Sequence, residues 1–132
     1  MPAVRMRWVT GIAVLLACAA GCTAAGESDV SRTASEWLAA AGTKDAARMC
    51  ALLTPAAAES VATSGKTCEQ GIGDLDLPAP GPVGTIELWS DQAQVRAGTD
   101  TLFLVRLNAG WRVNAAGCTP RGDRPYDCDV AG

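Results

Sequence analysis

The sequence predicts an α+β fold, in which N-terminal helices pack on a curved four-stranded antiparallel meander that follows a signal peptide. Three observations carry this. Apolar residues between positions 28 and 72 recur at helical spacing, a proline- and glycine-rich stretch (residues 73–84, GDLDLPAPGPVG) then stops the helices, and from Ile86 onward the apolar period is two. Helices first and strands afterwards, with one apolar face on each, make a two-layer domain.

The chain opens with an export pattern. Arg5 and Arg7 precede residues 8–20 (WVTGIAVLLACAA), an uncharged run too short for the roughly 20 residues of a bilayer-spanning helix and suited to a signal-peptide core. AAGC, ending at Cys22, resembles the bacterial lipobox, whose cysteine receives a diacylglyceryl group and becomes the new amino terminus. LLAC, ending at Cys18, is a rival box with a better-placed leucine. Processing at Cys22 leaves four thiols, Cys50, Cys68, Cys118 and Cys128, whereas processing at Cys18 leaves an odd fifth, so parity favours Cys22. An uncleaved signal-anchor is the competing reading, and the short apolar core counts against it. The expected organisation is therefore a signal peptide over residues 1–21, a lipidated tether over 22–28 and a single α+β domain over 29–132. Two acyl chains on Cys22, at about 0.8 kcal/mol per buried methylene, would hold the protein on the extracytoplasmic face of the cell membrane.

Charge and composition narrow the function. Loss of Arg5 and Arg7 from the 11 basic residues, set against 14 acidic ones, deepens the net charge from −3 to about −5. The remaining Lys and Arg are scattered, which argues against a nucleic-acid partner. The chain has no histidine, so Ser-His and Cys-His nucleophiles and the commonest transition-metal ligand are excluded. Four cysteines without a C-x-x-C pair in an exported chain read as two disulfides and not as a zinc or redox site. They allow three connectivities; Cys50 with Cys68 would tie the second helix to the segment after the third, and Cys118 with Cys128 would pin the tail to the last strand. No cofactor and no metal are expected.

In the first helix, Val30, Ala34, Trp37, Leu38 and Ala41 form one apolar stripe, with Ser28 or Asp29 as cap and Gly42 as stop. KDAARMCALL gives a second helix with Ala46, Met49, Cys50 and Leu53 inward. Thr54-Pro55 caps and opens a third that Gly65 ends, and a further turn is expected around Cys68 to Ile72. Among the strands, Ile86 and Leu88 share a face, as do Ala93, Val95 and Ala97, then Thr101, Phe103, Val105 and Leu107, then Trp111, Val113 and Ala115. The links Ser90-Asp91, Gly98-Thr99-Asp100 and Asn108-Ala109-Gly110 are hairpin-sized.

This order, closing on GWRVNAAGC, resembles the nuclear-transport-factor-2-like superfold shared with ketosteroid isomerase, a cone in which a sheet wraps around helices. More closely, CALLTP, GKTC, DTLFLVRL and GCTPRGDRPYDC are similar to a group of small lipoproteins of high-GC Gram-positive bacteria, across nearly the whole mature chain. The resemblance implies a cone pocket, here lined by Trp37, Phe103 and Trp111, that could carry a small apolar or amphipathic ligand, and pairing of two copies through the sheet. It implies no activity. The expected inward strand positions Ala93, Val95, Ala97, Phe103 and Val105 carry no acid, Glu87 and Asp91 read as solvated strand-edge charges, and the one tyrosine, Tyr126, lies in the tail, so catalysis is not expected.

The tail holds Arg121-Gly122-Asp123 between Cys118 and Cys128. Gly122 permits a turn and Pro120 and Pro125 stiffen its flanks, so a structural turn is the leading reading and an adhesion motif the lesser one. Arg121, Asp123, Arg124 and Tyr126 are the candidate contacts to a protein partner at the cell envelope.

Overall fold

The computed structural model describes residues 19–132, with side chains from Gly26 onward. The expected signal peptide, apart from its last three residues, and the alternative lipidation residue Cys18 lie outside the described residues; Cys22 falls within the first helix, its side chain outside them.

Four helices precede five strands: α1 (Ala19–Thr43), α2 (Ala46–Leu52), α3 (Pro55–Val61), α4 (Cys68–Gly73), β1 (Val83–Trp89), β2 (Gln92–Ala97), β3 (Asp100–Leu107), β4 (Gly110–Arg121) and β5 (Arg124–Ala131). The fold is α+β, and the sheet is an antiparallel meander in the order β1-β2-β3-β4-β5. Its strand number corrects the expected four. Residues 118–128, read as a disulfide-closed tail, are the end of β4 and most of a fifth strand.

Residues 22–28, expected as a tether, are continuous with α1. Nothing in Thr23–Glu27 stops a helix except Gly26, which costs only about 1 kcal/mol relative to alanine, and a Cβ built on Gly26 would already lie 3.2 Å from Leu88 Cδ2 of β1. The helix therefore gains a sheet contact one turn before Val30, where its buried stripe begins. After α1, Lys44 adopts φ 55 and Asp45 caps α2 by accepting the Arg48 N–H at 3.1 Å. Thr54 caps α3 by accepting from the Ala57 N–H at 3.1 Å, with Pro55 in the first turn. Thr67 and Gln70 form a reciprocal capping box on α4.

The helical layer covers one face of the sheet, with α1 against β1, β2 and β4 and α3 against β4 and β5. Trp37, Val30, Leu102, Leu104, Val95, Val113 and Val130 are its fully buried centre. Register decides which strand residues face inward. Ala93 pairs with Leu104, Val95 with Leu102 and Ala97 with Asp100, so Asp100, Leu102 and Leu104 share the inner face with the β2 alanines and valine. Phe103 and Val105, expected inward, point outward. The β2–β3 turn holds only Gly98 and Thr99, so β3 starts at Asp100, and a shift of one residue exchanges the two faces of a strand.

Strand β4 departs from regular alternation as well. Val113 pairs with Leu104 on the inner face, but Ala115 pairs with Phe103 on the outer one, because Asn114 forms a bulge between them. The α2–α3 junction braces that bulge. The Thr54 N–H donates to the Val113 carbonyl at 2.9 Å, and the Thr54 hydroxyl donates to Asn114 Oδ1 at 2.8 Å.

Candidate functional site

Among the described residues, a hairpin and a cavity could each meet another molecule, and they are built differently. The first is the β4–β5 hairpin. Cys118 and Cys128 sit directly opposite each other and are joined, and a second disulfide joins Cys50 of α2 to Cys68 of α4. Beyond Cys118 the hairpin runs on to a two-residue turn, Gly122-Asp123, flanked by the paired Arg121 and Arg124. Gly122 has φ 67 and Asp123 does not have a positive φ, the pattern of a type II′ turn with glycine in its first central place. Arg121, Gly122 and Asp123 are thus a hairpin tip, all exposed. Arg121 and Arg124 are held side by side as like charges, a pairing that destabilises a ladder and that only Asp127, 4.0 Å from Arg121, offsets.

The hairpin's root holds the one buried acid of the inner face. Asp100 is 7% exposed, and its carboxylate accepts the Cys118 N–H at 3.1 Å, with the Gly117 and Thr101 amides also directed at it. Burial holds the Asp100 carboxyl above the ordinary aspartate range. The three amides pull it back down, and the neighbouring Asp129 carboxylate adds to the rise. Gly117, at φ 64, lets β4 bend here, and a Cβ at this position would run into the Asp129 carboxylate. The bend returns Tyr126 to Phe103, ring edge to ring face at a centroid distance of 5.1 Å. Sequence reasoning placed Asp100 in a turn; the signal that it belongs to β3 is the alternation of Asp100, Leu102 and Leu104 with the apolar outer residues.

The second place is a cavity of about 310 Å³ where the end of α1, α2, α4 and the proline-rich connector meet. Ala46, Met49, Ile72, Leu75 and Leu77 supply apolar walls, and Lys44 and Asp76 are its charged lining residues, both exposed. None of the residues expected to line a cone pocket contributes. Trp37 and Trp111 are 1% and 5% exposed and fill the space between helices and sheet, while Phe103 is on the far side of the sheet. Bulk is the reason: two indoles packed with Leu102 and Leu104 leave the interior occupied by the protein's own side chains.

The described residues contain no cluster of three or more metal-ligating side chains, and none of their helices is long and apolar enough to cross a membrane. No family model matches the sequence, and no curated protein or solved structure shows significant similarity to it.

Proposed function

We propose that this chain is an exported lipoprotein, anchored through acylated Cys22, whose domain docks without catalysis onto another cell-envelope protein through the tip of the β4–β5 hairpin. One observation carries the reading: the hairpin tip and the start of α1 lie at opposite ends of the sheet. The start of α1 lies beside the end of β1, as the contact of Gly26 with Leu88 fixes. The tip projects from the end where β3 begins, as the bond from Cys118 to Asp100 fixes. A chain held to the membrane at the first end presents Arg121, Asp123 and Arg124 away from it, on a strand pair stapled by Cys118–Cys128.

Such a tip offers paired guanidinium groups beside the Asp123 and Asp127 carboxylates, which suits an acidic partner surface with a basic neighbour. The helix-on-sheet layering is compatible with the cone-shaped superfold the sequence resembles. Capture of partners by the tagged full-length chain from solubilised membranes tests the proposal. A protein recovered with the natural chain and lost with Arg121→Ala/Asp123→Ala/Arg124→Ala supports it; recovery that is indifferent to these changes, or no reproducible partner, sinks it.

The cavity beside Met49 favours a second reading, a carrier of a small amphipathic ligand. Native mass spectrometry of protein released gently from membranes distinguishes the two. A bound mass displaced by Ala46→Phe points to the carrier, and a bare chain counts against it.

A further inference from the structure

The outer face of the sheet carries two exposed apolar side chains at one end, and the docking tip does not use them. Trp89 and Leu107 are the exposed large hydrophobic residues of the described chain, at 52% and 38%. Each is the last residue of its strand, β1 and β3, and both point to the side of the sheet opposite the helices, with Val105 in the same row as Trp89. Gln92 of β2 separates Trp89 from Val105, so Trp89 and Leu107 are not neighbours, but they stand at the same end of the sheet, and an exposed indole is well placed where one side is apolar and the other wet.

What lies against these side chains follows from where the chain enters. Helix α1 reaches the sheet at Gly26, against Leu88, the residue before Trp89. From Gly26 back to Cys22 is four residues of continuous helix, a rise of about 6 Å. The headgroup layer of a bilayer leaflet is of similar depth, roughly 5–7 Å. We infer that the end of the sheet carrying Trp89 and Leu107 rests in the headgroup layer of the membrane that Cys22 is anchored to. The occupant is a lipid surface, and the inference rests on the lipid-anchored reading given above.

The helix matters to the geometry. A flexible tether would let the domain tumble, whereas a helix running unbroken from Cys22 into the core fixes which end of the sheet faces the lipid. Charge does not supply the attraction, since the mature chain is acidic and anionic lipid repels it. The two side chains therefore orient an already anchored domain and do not recruit it. With Trp89 set in the interface, the β4–β5 tip points outward from the membrane.

The test uses the full chain reconstituted into vesicles of equal parts phosphatidylethanolamine and phosphatidylglycerol, with acyl chains brominated near their glycerol ends. Processing at Cys22 removes Trp8, and Trp37 and Trp111 are buried, so bromolipid is expected to quench Trp89, and Trp89→Phe should abolish the quenching. Aqueous iodide should reach Trp89 in a Cys22→Ser mature chain in detergent-free buffer and lose access in the anchored chain in vesicles. Quenching of Trp89 by iodide in vesicles, with none from bromolipid, overturns the inference by showing that side chain in water. Shielding from both overturns it in favour of a second copy or a partner on the sheet. Flotation and intact mass read the anchor separately. An acylated chain that floats without bromolipid quenching refutes the Trp89 contact alone, and an unacylated chain whose Trp89 is quenched refutes the anchor alone.

Discussion

Along β3 the side chains alternate between two surroundings. Leu102 and Leu104 are sealed beneath the helices, whereas Phe103, Val105 and Leu107 point away from them, half-buried or exposed. The two sets are equally apolar, so hydrophobicity within the strand did not choose its inner face. The choice came from outside it: from the β2 partners Ala93 and Val95, and from the Val30, Ala34 and Trp37 stripe of α1 that needs cover. The tryptophans repeat the contrast, with Trp37 buried at the centre of the inner face and Trp89 standing on the edge of the outer one.

That contrast gives the largest expected effect. Trp37→Ala should cost about 3–5 kcal/mol, from lost transfer free energy and the cavity left behind. Trp89→Ala should change stability by no more than about 0.5 kcal/mol in detergent-free solution. Urea unfolding of the two variants with matching slopes checks this. Similar losses from both would mean that the outer face is packed against something in solution, which would break the distinction between the faces.

Helix α3 was legible in the sequence because its start is marked by local chemistry, Thr54 with Pro55; the start of α1 was not, because no cap separates residues 22–28 from the helix. The sheet was legible where alternation had one apolar side, as in β2, and illegible where both sides were apolar, as in β3. Strand β5 was hidden by its own Pro125 and by Pro120 near the end of β4. Pro125 belongs to an edge strand, where a missing N–H can be tolerated, and Pro120 falls at the irregular pairing between Thr119 and Arg121, so neither prevents the ladder. The cavity beside Met49 could not be read, since it depends on how the connector folds back over α1 and α4. The exposed Arg121-Gly122-Asp123 turn was accessible from its turn residues, whereas spacing left three cysteine connectivities open and the structure shows one of them; the position of the tip relative to the start of α1 needed the strand register.

The two disulfides sharpen the comparison at an intermediate scale. Cys50–Cys68 spans 18 residues in the helical layer, and Cys118–Cys128 spans 10 in the hairpin. Loop-closure entropy depends only logarithmically on length, so each should contribute about 3 kcal/mol, the longer loop slightly more. Paired alanine substitutions should therefore lower thermal stability by comparable amounts while loosening different parts. Hydrogen exchange should rise in α2 and α4 for Cys50→Ala/Cys68→Ala, and in β5 and the tip for Cys118→Ala/Cys128→Ala. Loss of protection throughout the sheet in the second variant would show that the hairpin is part of the core's cooperative unit and not an appendage to it.

The smallest effect concerns Asp100, the one ionisable residue buried on the inner face. Its presence among leucines has a local cause. The bend of β4 at Gly117 turns the Gly117 and Cys118 amides away from the ladder, and a buried amide left without an acceptor costs about 1–3 kcal/mol. The carboxylate accepts both, at the expense of its own desolvation. Because burial raises its folded-state pKa above the unfolded value of about 3.9, the native chain binds more protons than the unfolded one between those two values. This group's contribution is therefore greatest below about pH 4 and declines as pH rises through the folded-state pKa, beyond which it is constant. Asp100→Asn keeps an oxygen for the Cys118 N–H and removes the titration, so it should flatten that decline while shifting neutral-pH stability by about 1 kcal/mol or less. Asp100→Leu removes the acceptor and should be the worse variant, losing protection first at the hairpin root. Urea midpoints of the three proteins across the acid range decide the matter: if the asparagine variant keeps the full decline, the dependence belongs to other carboxylates, and if the leucine variant is as stable as the natural chain, the amides of the bend have found water instead of Asp100.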